Sequence, residues 1–248
     1  METMFAILVF VFGLVVGSFL NVVIVRLPTE KGFIKGRSHC VHCKKTLRWF
    51  DLIPIVSFLL LWGQCRYCKK NISLQYPLVE LATGLIFLLI FNQWQSVDIR
   101  LFLLFYVAGS LIIIFVYDLK HYIIPDVVLF PAIIAALPYH LSLNYLLSAL
   151  VAAGFFLGIF LVSRGRWMGF GDVKLAVLLG LLLGFPNIFV GLFLAFILGA
   201  MVGVVSIFSH KKGLKSEMPF APFLILGTFL AYFWGTQIIF WYTQFFLF

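Results

Sequence analysis

Charge is what this sequence has least of. Only 11% of its 248 residues are Asp, Glu, Lys or Arg, against about 25% in a soluble domain. That scarcity excludes a water-soluble globular enzyme and a charge-rich disordered chain. Glycine (20) and proline (9) are too few for a collagen-like fibre. No Gly-x-Gly-x-x-Gly follows a strand pattern, so no nucleotide-binding α/β domain is visible. No Lys or Arg precedes the first apolar run, and that run exceeds the ~7–15 residues of a signal-peptide core, which argues against a cleaved leader.

Apolar length is what the sequence has most of. The apolar share is 63% and the mean hydropathy +1.12. The apolar residues fall in uncharged runs such as Thr3 to Val25, long enough for a bilayer, which needs roughly 20 residues. The pattern predicts an all-α integral membrane protein with about eight transmembrane helices. They are expected near 4–25, 77–93, 99–117, 124–140, 143–163, 172–185, 187–209 and 221–246, the fourth and sixth being short. Three parts follow: a first transmembrane helix at 1–25, a polar loop domain at 26–77 and a seven-helix membrane domain at 78–248.

The net charge is +9, from 18 cationic and 9 acidic residues. In a soluble chain that excess would suggest nucleic acid. Here its placement explains it. Eight spans put both termini on one side, with inside connections at 26–77, 118–126, 163–174 and 209–220. Those connections hold 17 of the 18 cations, and only Arg100 lies opposite. The positive-inside rule then places the 26–77 loop in the cytoplasm and both termini outside, and nucleic acid is not expected as a partner. Gly13-xxx-Gly17 would let another helix approach closely, or reflects the ordinary glycine content of membrane helices. No internal repeat is evident. Trp62, Trp94, Trp167 and Trp241 are expected in the headgroup belt.

The loop holds all four cysteines, as Cys40-Val41-His42-Cys43 and Cys65-Arg66-Tyr67-Cys68. Two Cys-x2-Cys turns can complete one tetrahedral zinc site, and the spacing is close to that pattern. A short basic loop buries little core, so a metal would contribute folding energy on the order of 10 kcal/mol. A reducing cytoplasm argues against disulfides. Redox pairs or merely packed cysteines are the alternatives, and His39 and His42 are alternative ligands. Four cysteines already fill a closed site, so the zinc is expected to be structural.

Among the nine acids, Glu80, Asp118, Asp126 and Asp172 sit at the edges of apolar runs. Ionisable groups at membrane depth point to function. Asp118 ends the third expected helix, and Asp172 opens the sixth after Gly169-Phe170-Gly171. Both fall at the cytoplasmic ends of their helices. If those helices neighbour each other, the two carboxylates can share a proton, activate water and protonate a leaving amine. Gly169 and Gly171 would support such a site by admitting close backbone approach and leaving the loop mobile. The alternatives are structural. Asp172 suits a helix N-cap, Asp126 after Pro125 can begin a helix, and Asp118 can pair with Lys120 or Lys174.

Five stretches in this order resemble the bacterial type IV prepilin peptidase family over nearly the whole chain. They are Gly17-Ser18-Phe19-Leu20-Asn21 through Arg26 and Pro28, the two cysteine knuckles, Tyr76-Pro77-Leu78-Val79-Glu80, Asp118 through Ile124-Pro125-Asp126, and Gly169-Phe170-Gly171-Asp172. The resemblance implies an aspartic endopeptidase of the inner membrane with Asp118 and Asp172 as its dyad, Asp126 being the competing assignment. It implies prepilin or pseudopilin substrates with a basic leader, cut after a Gly at the cytoplasmic face. It also implies possible methylation of the new N-terminus with S-adenosylmethionine, for which Asn21 and Glu80 are possible methylation or substrate contacts. Interhelical hydrogen bonding is the plain alternative for Asn21, and headgroup anchoring for Arg26. A transporter or assembly scaffold with a structural zinc loop is the rival from another class, its carboxylates serving as ion sites. A membrane methyltransferase without peptidase activity is a second rival.

Overall fold

The computed structural model describes residues 2–28, 36–94, 97–138, 142–208 and 218–246. Nine α-helices account for most of these: α1 Glu2–Arg26, α2 Val56–Leu60, α3 Gln75–Trp94, α4 Ile99–His121, α5 Asp126–Ala136, α6 Leu143–Ser163, α7 Phe170–Leu183, α8 Asn187–Phe208 and α9 Ala221–Phe246. Among the described residues there is no strand beyond two isolated bridges. All eight helices expected from hydropathy are present, and α2 is a small addition within the loop. Six (α1, α3, α4, α6, α8 and α9) are long and apolar enough to cross a membrane. The two expected to be short are the two that fall below that length: α5 with 11 residues and α7 with 14. Pro125 and Pro138 bracket α5, and α7 stops at Gly184, whose φ of +65° favours glycine. Lys31, Lys35, Lys211, Lys212 and Lys215, and the expected helix ends at 139–140 and 209, lie outside the described residues.

By packing, the chain divides into two compact units, Met1–Ile113 and Ile114–Phe248. In the first, α1 and α3 lie antiparallel. A Cβ on Gly13 would stand 2.7 Å from the Cα of Gly84, and one on Gly17 would stand 2.7 Å from the Cα of Glu80. One turn further, the Asn21 amide donates to the Tyr76 carbonyl at 3.1 Å. The pairs 13/84, 17/80 and 21/76 step by one helical turn each. The Gly-xxx-Gly step is therefore a helix contact, made possible by two absent side chains. Further along the pair, Phe87 stacks on Phe105 of α4 at 4.2 Å, with Phe12 against both.

In the second unit, α7 is the central helix and packs against α5, α6, α8 and α9. Its residues from Leu178 to Leu183 are all buried, as expected of a helix apolar all round. Gly180 meets the backbone of Ser148 and Ala149 on α6, where any side chain would overlap. Phe156, Phe196 and Phe220 join α6, α8 and the start of α9.

Candidate active site

Asp118 lies in the last turn of α4. Tyr122, at φ +58°, ends the helix with its N–H on the Asp118 carbonyl at 2.9 Å. The chain then passes through Ile123, Ile124 and Pro125 into α5. The side chain of Asp118 is 5% exposed for the whole residue and accepts the backbone N–H of Ala221, the first residue of α9. Asp172 is 8% exposed and lies within electrostatic reach of Asp118. Two carboxylates expected to meet are therefore brought together inside one packed unit.

Asp172 is not the N-cap of α7. That position belongs to Gly169, and Asp172 sits three residues later. Its side chain reaches back to the Gly169 N–H while its own N–H donates to the Gly169 carbonyl at 3.2 Å. This is half of a capping box, and it orients the carboxylate. The two glycines differ in kind. Gly169 has ordinary extended dihedrals (φ −76°, ψ 150°), so no backbone requirement for glycine appears there. At Gly171 a Cβ would come within 3.2 Å of Ile124. The bare Gly171 thus lets the Ile-Pro-Asp connection seat against the turn that carries Asp172.

Asp126 is the first residue of α5, as its place after Pro125 suggested, and its carboxylate forms an ion pair with Lys174 of α7. Its side chain is 51% exposed. Lys174 therefore pairs with Asp126 and not with Asp118, and its ammonium also lies over the rings of Phe130 and Phe170. The only ion pairs among the described residues are Asp126–Lys174 and Asp51–Arg66. Neither involves Asp118 or Asp172.

In the first unit, the Sγ atoms of Cys40, Cys43, Cys65 and Cys68 all lie within 4.8 Å of one another. The Cys40–Cys68 separation is 3.9 Å, close to the ~3.8 Å edge of a tetrahedron with zinc–sulfur bonds of about 2.3 Å. The four thiols therefore fit a metal ion without the imidazoles. Burial pushes the Cys40 thiol up, but the N–H groups of Cys43 and His42 and the neighbouring thiols outweigh it and bring it down to about 7. The Lys70 N–H pulls the Cys68 thiol down, but burial and the hydrogen bonds from the other three thiols outweigh it and push that thiol up to about 11, so the cluster shares its protons unevenly.

The two knuckles repeat each other, which corrects the expectation of no internal repeat. The first cysteine of each donates its N–H to the carbonyl five residues on, that of Lys45 or Lys70. The lysine four residues on, Lys44 or Lys69, has a φ near +58° and donates back to that cysteine at 2.9 Å. Each knuckle is closed by one bridge, His39 with Thr46 and Gln64 with Asn71. The signal was present in the paired Cys-x2-Cys-Lys-Lys strings.

Asp51 ties this centre to the rest of the loop. Its carboxylate receives Arg66 Nε at 2.7 Å, the Tyr67 hydroxyl at 3.2 Å and the Arg48 N–H at 3.1 Å. Burial alone would raise its pKa, but these donors, Arg66 foremost, hold it below the usual carboxylate range. Arg66 and Tyr67 are the two residues between Cys65 and Cys68, so Asp51 grips the second knuckle from inside its turn.

Glu80 and Asn21 lie where the loop meets α1 and α3. Glu80 accepts the Ile55 N–H at 2.8 Å and a hydrogen bond from Ser18. Ile55 is held at φ +59°, an uncommon backbone position for a β-branched residue. Asn21 donates to the carbonyls of Gly17 and Tyr76 and accepts from the Gln75 amide at 3.2 Å. Arg26 donates to the Gly36 carbonyl at 3.1 Å, so it secures the start of the loop. The sequence carries no signal for Ala221 or Ile55, and it places Ile124 in the aspartate motif without its contact to Gly171, because these parts depend on packing between distant segments.

Comparison with known proteins agrees with this geometry. Residues 11–94 match the bacterial peptidase A24 N-terminal domain, and residues 105–204 match the type IV leader peptidase family. The prepilin leader peptidase/N-methyltransferase of Bacillus subtilis (strain 168) is 33% identical over 242 residues, covering 96% of this chain and 97% of the relative. The protein of the same name from Stutzerimonas stutzeri is 32% identical, covering 97% of this chain and 94% of the relative. That of Pseudomonas aeruginosa is also 32% identical, with 94% and 91% covered. No solved structure matches. With family models matched over residues 11–94 and 105–204, and relatives more than 30% identical over nearly the whole chain, the chain belongs to the type IV leader peptidase family.

Proposed function

We propose that this multi-pass membrane protein hydrolyses the leader of type IV prepilins or pseudopilins, with Asp118 and Asp172 as its catalytic pair. The observation that carries the assignment is the placement of two buried carboxylates within electrostatic reach, neither one in an ion pair. Such a pair holds one proton between two sites. The ionised aspartate takes a proton from water, which attacks the carbonyl carbon of the Gly–Xaa bond. The protonated aspartate polarises that carbonyl and then donates its proton to the leaving amine. The Ala221 and Gly169 N–H groups hold the two carboxylates in place. Gly171 and Asp126 support the turn between them, Asp126 through Lys174.

The substrate is a basic leader followed by an apolar helix, cut at the cytoplasmic face. The charge asymmetry supports that sidedness, with the zinc loop cytoplasmic and both termini outside in the inner membrane. Functionally the chain has three parts: the helix at 1–25, the loop domain at 26–77 and the membrane domain at 78–248. Cys40, Cys43, Cys65 and Cys68 would hold a zinc ion, which supplies folding energy to the loop.

The relatives' name pairs leader cleavage with N-methylation, which implies S-adenosylmethionine as methyl donor. Asn21 and Glu80 are buried, and their polar atoms are spent on helix and loop. As they stand they offer no donor set to that cofactor, so their proposed part in methylation or substrate contact is to hold the loop in place. Prepilin cleavage by Asp118→Ala, Asp172→Ala and Asp126→Ala variants tests the reading. The first two should be inactive and the third active, and full activity in either of the first two overturns it. Family membership disfavours the transporter or scaffold alternative.

A further inference from the structure

One stretch of the loop is neither metal centre nor packed core. Between the two knuckles, Trp49, Val56, Leu59, Leu60 and Trp62 are all exposed, Trp62 by 90%, Trp49 by 77% and Leu60 by 74%. Water-exposed tryptophan and leucine on this scale mark an interaction surface. Its neighbourhood is cationic. Residues 36–74 carry seven Lys or Arg, all of them exposed, and Asp51 as the one acid.

The position of this stretch relative to α3 identifies what it meets. The Ile55 N–H, at the N-cap of α2, is bonded to Glu80. Glu80 is five residues into α3, a helix of membrane-crossing length, or about 7.5 Å from its start at 1.5 Å per residue. The headgroup layer on each side of the hydrocarbon is about 5–7 Å deep. The hydrogen bond thus fixes the beginning of α2 alongside the outermost turns of a membrane helix. The antiparallel α1–α3 pair returns both ends of the loop to the same face. Apolar side chains on a segment anchored at that level, with tryptophans and surrounding cations, have the chemistry of an interfacial element.

We propose that residues 49–62 form a membrane-surface element that inserts Trp49, Leu59, Leu60 and Trp62 into the headgroup region of an anionic bilayer. The cations around the knuckles face the lipid phosphates, and the metal centre is thereby held flat against the membrane. This goes beyond leader cleavage and does not depend on the identity of the catalytic pair.

The test uses the full chain in nanodiscs containing anionic phospholipid brominated near the top of its acyl chains. Trp62 is kept as the sole tryptophan, the other five being replaced by phenylalanine, and prepilin cleavage confirms folding. Bromolipid should quench at least half of the Trp62 emission, and aqueous iodide should quench little. In wild-type protein, amide exchange at 56–62 should slow at least threefold on changing from zwitterionic to anionic discs, and the slowing should shrink with added salt. Iodide quenching without bromolipid quenching overturns the proposal, as does exchange indifferent to lipid charge. Protection that arises only when an apolar prepilin segment is added also overturns it, in favour of a substrate-docking surface.

Discussion

Asp51 and Asp118 are both buried carboxylates that accept a backbone N–H, yet they stand in opposite surroundings. Asp51 sits among cations, fully engaged by Arg66, Tyr67 and Arg48. Asp118 has a second carboxylate within reach and no ion pair. A carboxylate saturated by donors and a cation has no reason to change its protonation at neutral pH and serves to fasten structure. On the proposed assignment, a carboxylate faced with another one keeps a proton to exchange. Burial is common to the two regions, so the partner decides the role.

The sharpest break of that comparison is to neutralise each carboxylate in turn. Asp118→Asn and Asp172→Asn should each lower prepilin cleavage on the order of 10³-fold or more, while leaving bound metal unchanged. Asp126→Asn, at an exposed ion pair, should retain cleavage within about tenfold. A comparable loss in all three would dissolve the distinction.

Removing the metal probes the other side. Strong chelation, or Cys65→Ser, should withdraw folding energy on the order of 10 kcal/mol from the loop. Proteolysis or amide exchange should then open residues 36–74 and spare α6 to α9. Loss of protection in both regions together would show one cooperative body.

A steric change at Gly180 should be smaller and opposite in location. Gly180→Val would overlap the α6 backbone and destabilise the second unit by about 1–3 kcal/mol, with metal content untouched. Thermal inactivation against zinc content in detergent separates the two effects.

The smallest effect expected is at Asp51. Asp51→Asn should weaken the loop by roughly 1–2 kcal/mol at neutral pH, measured as faster metal release. The sign with pH follows from its lowered pKa. Its contribution is complete above the unfolded value of about 3.9 and disappears as pH falls through the lower folded value. Protonation of the thiolates should release the metal at higher pH than that. The wild-type minus Asp51→Asn difference should therefore be constant from neutral pH down to metal loss. A difference that grows or shrinks across that range would mean Asp51 titrates there.

These regions were also unequally legible. Helix positions followed from apolar runs, since hydropathy needs no knowledge of packing. The cysteine centre was readable because its ligands are near in sequence and chemically unusual. Asp118 and Asp172 stand out as rare acids at helix ends, and only the family resemblance, not hydropathy or spacing, joins them. Their meeting depends on α7 being the buried centre of its unit, which periodicity does not report in a helix apolar on every face. The structural alternative for Asp172, an N-cap, rests on the preference of Asp for that position, and the structure gives the cap to Gly169. The Glu80–Ile55 bond spans 25 residues and uses a backbone N–H, which leaves no trace in residue identity.

One consequence concerns where this enzyme ends. The N–H that Asp118 accepts belongs to Ala221, beyond the stretch of 105–204 that matches the leader peptidase family. On the proposed assignment of Asp118 to the catalytic pair, the C-terminal helix is a working component and not a trailing anchor. A minimal version of the protein cannot stop after α8, because shortening it there strips a ligand from the aspartate. The same holds for a chain split for co-expression. The two fragments would regain a complete site only if the second one begins ahead of Pro219, carrying the turn that presents Ala221.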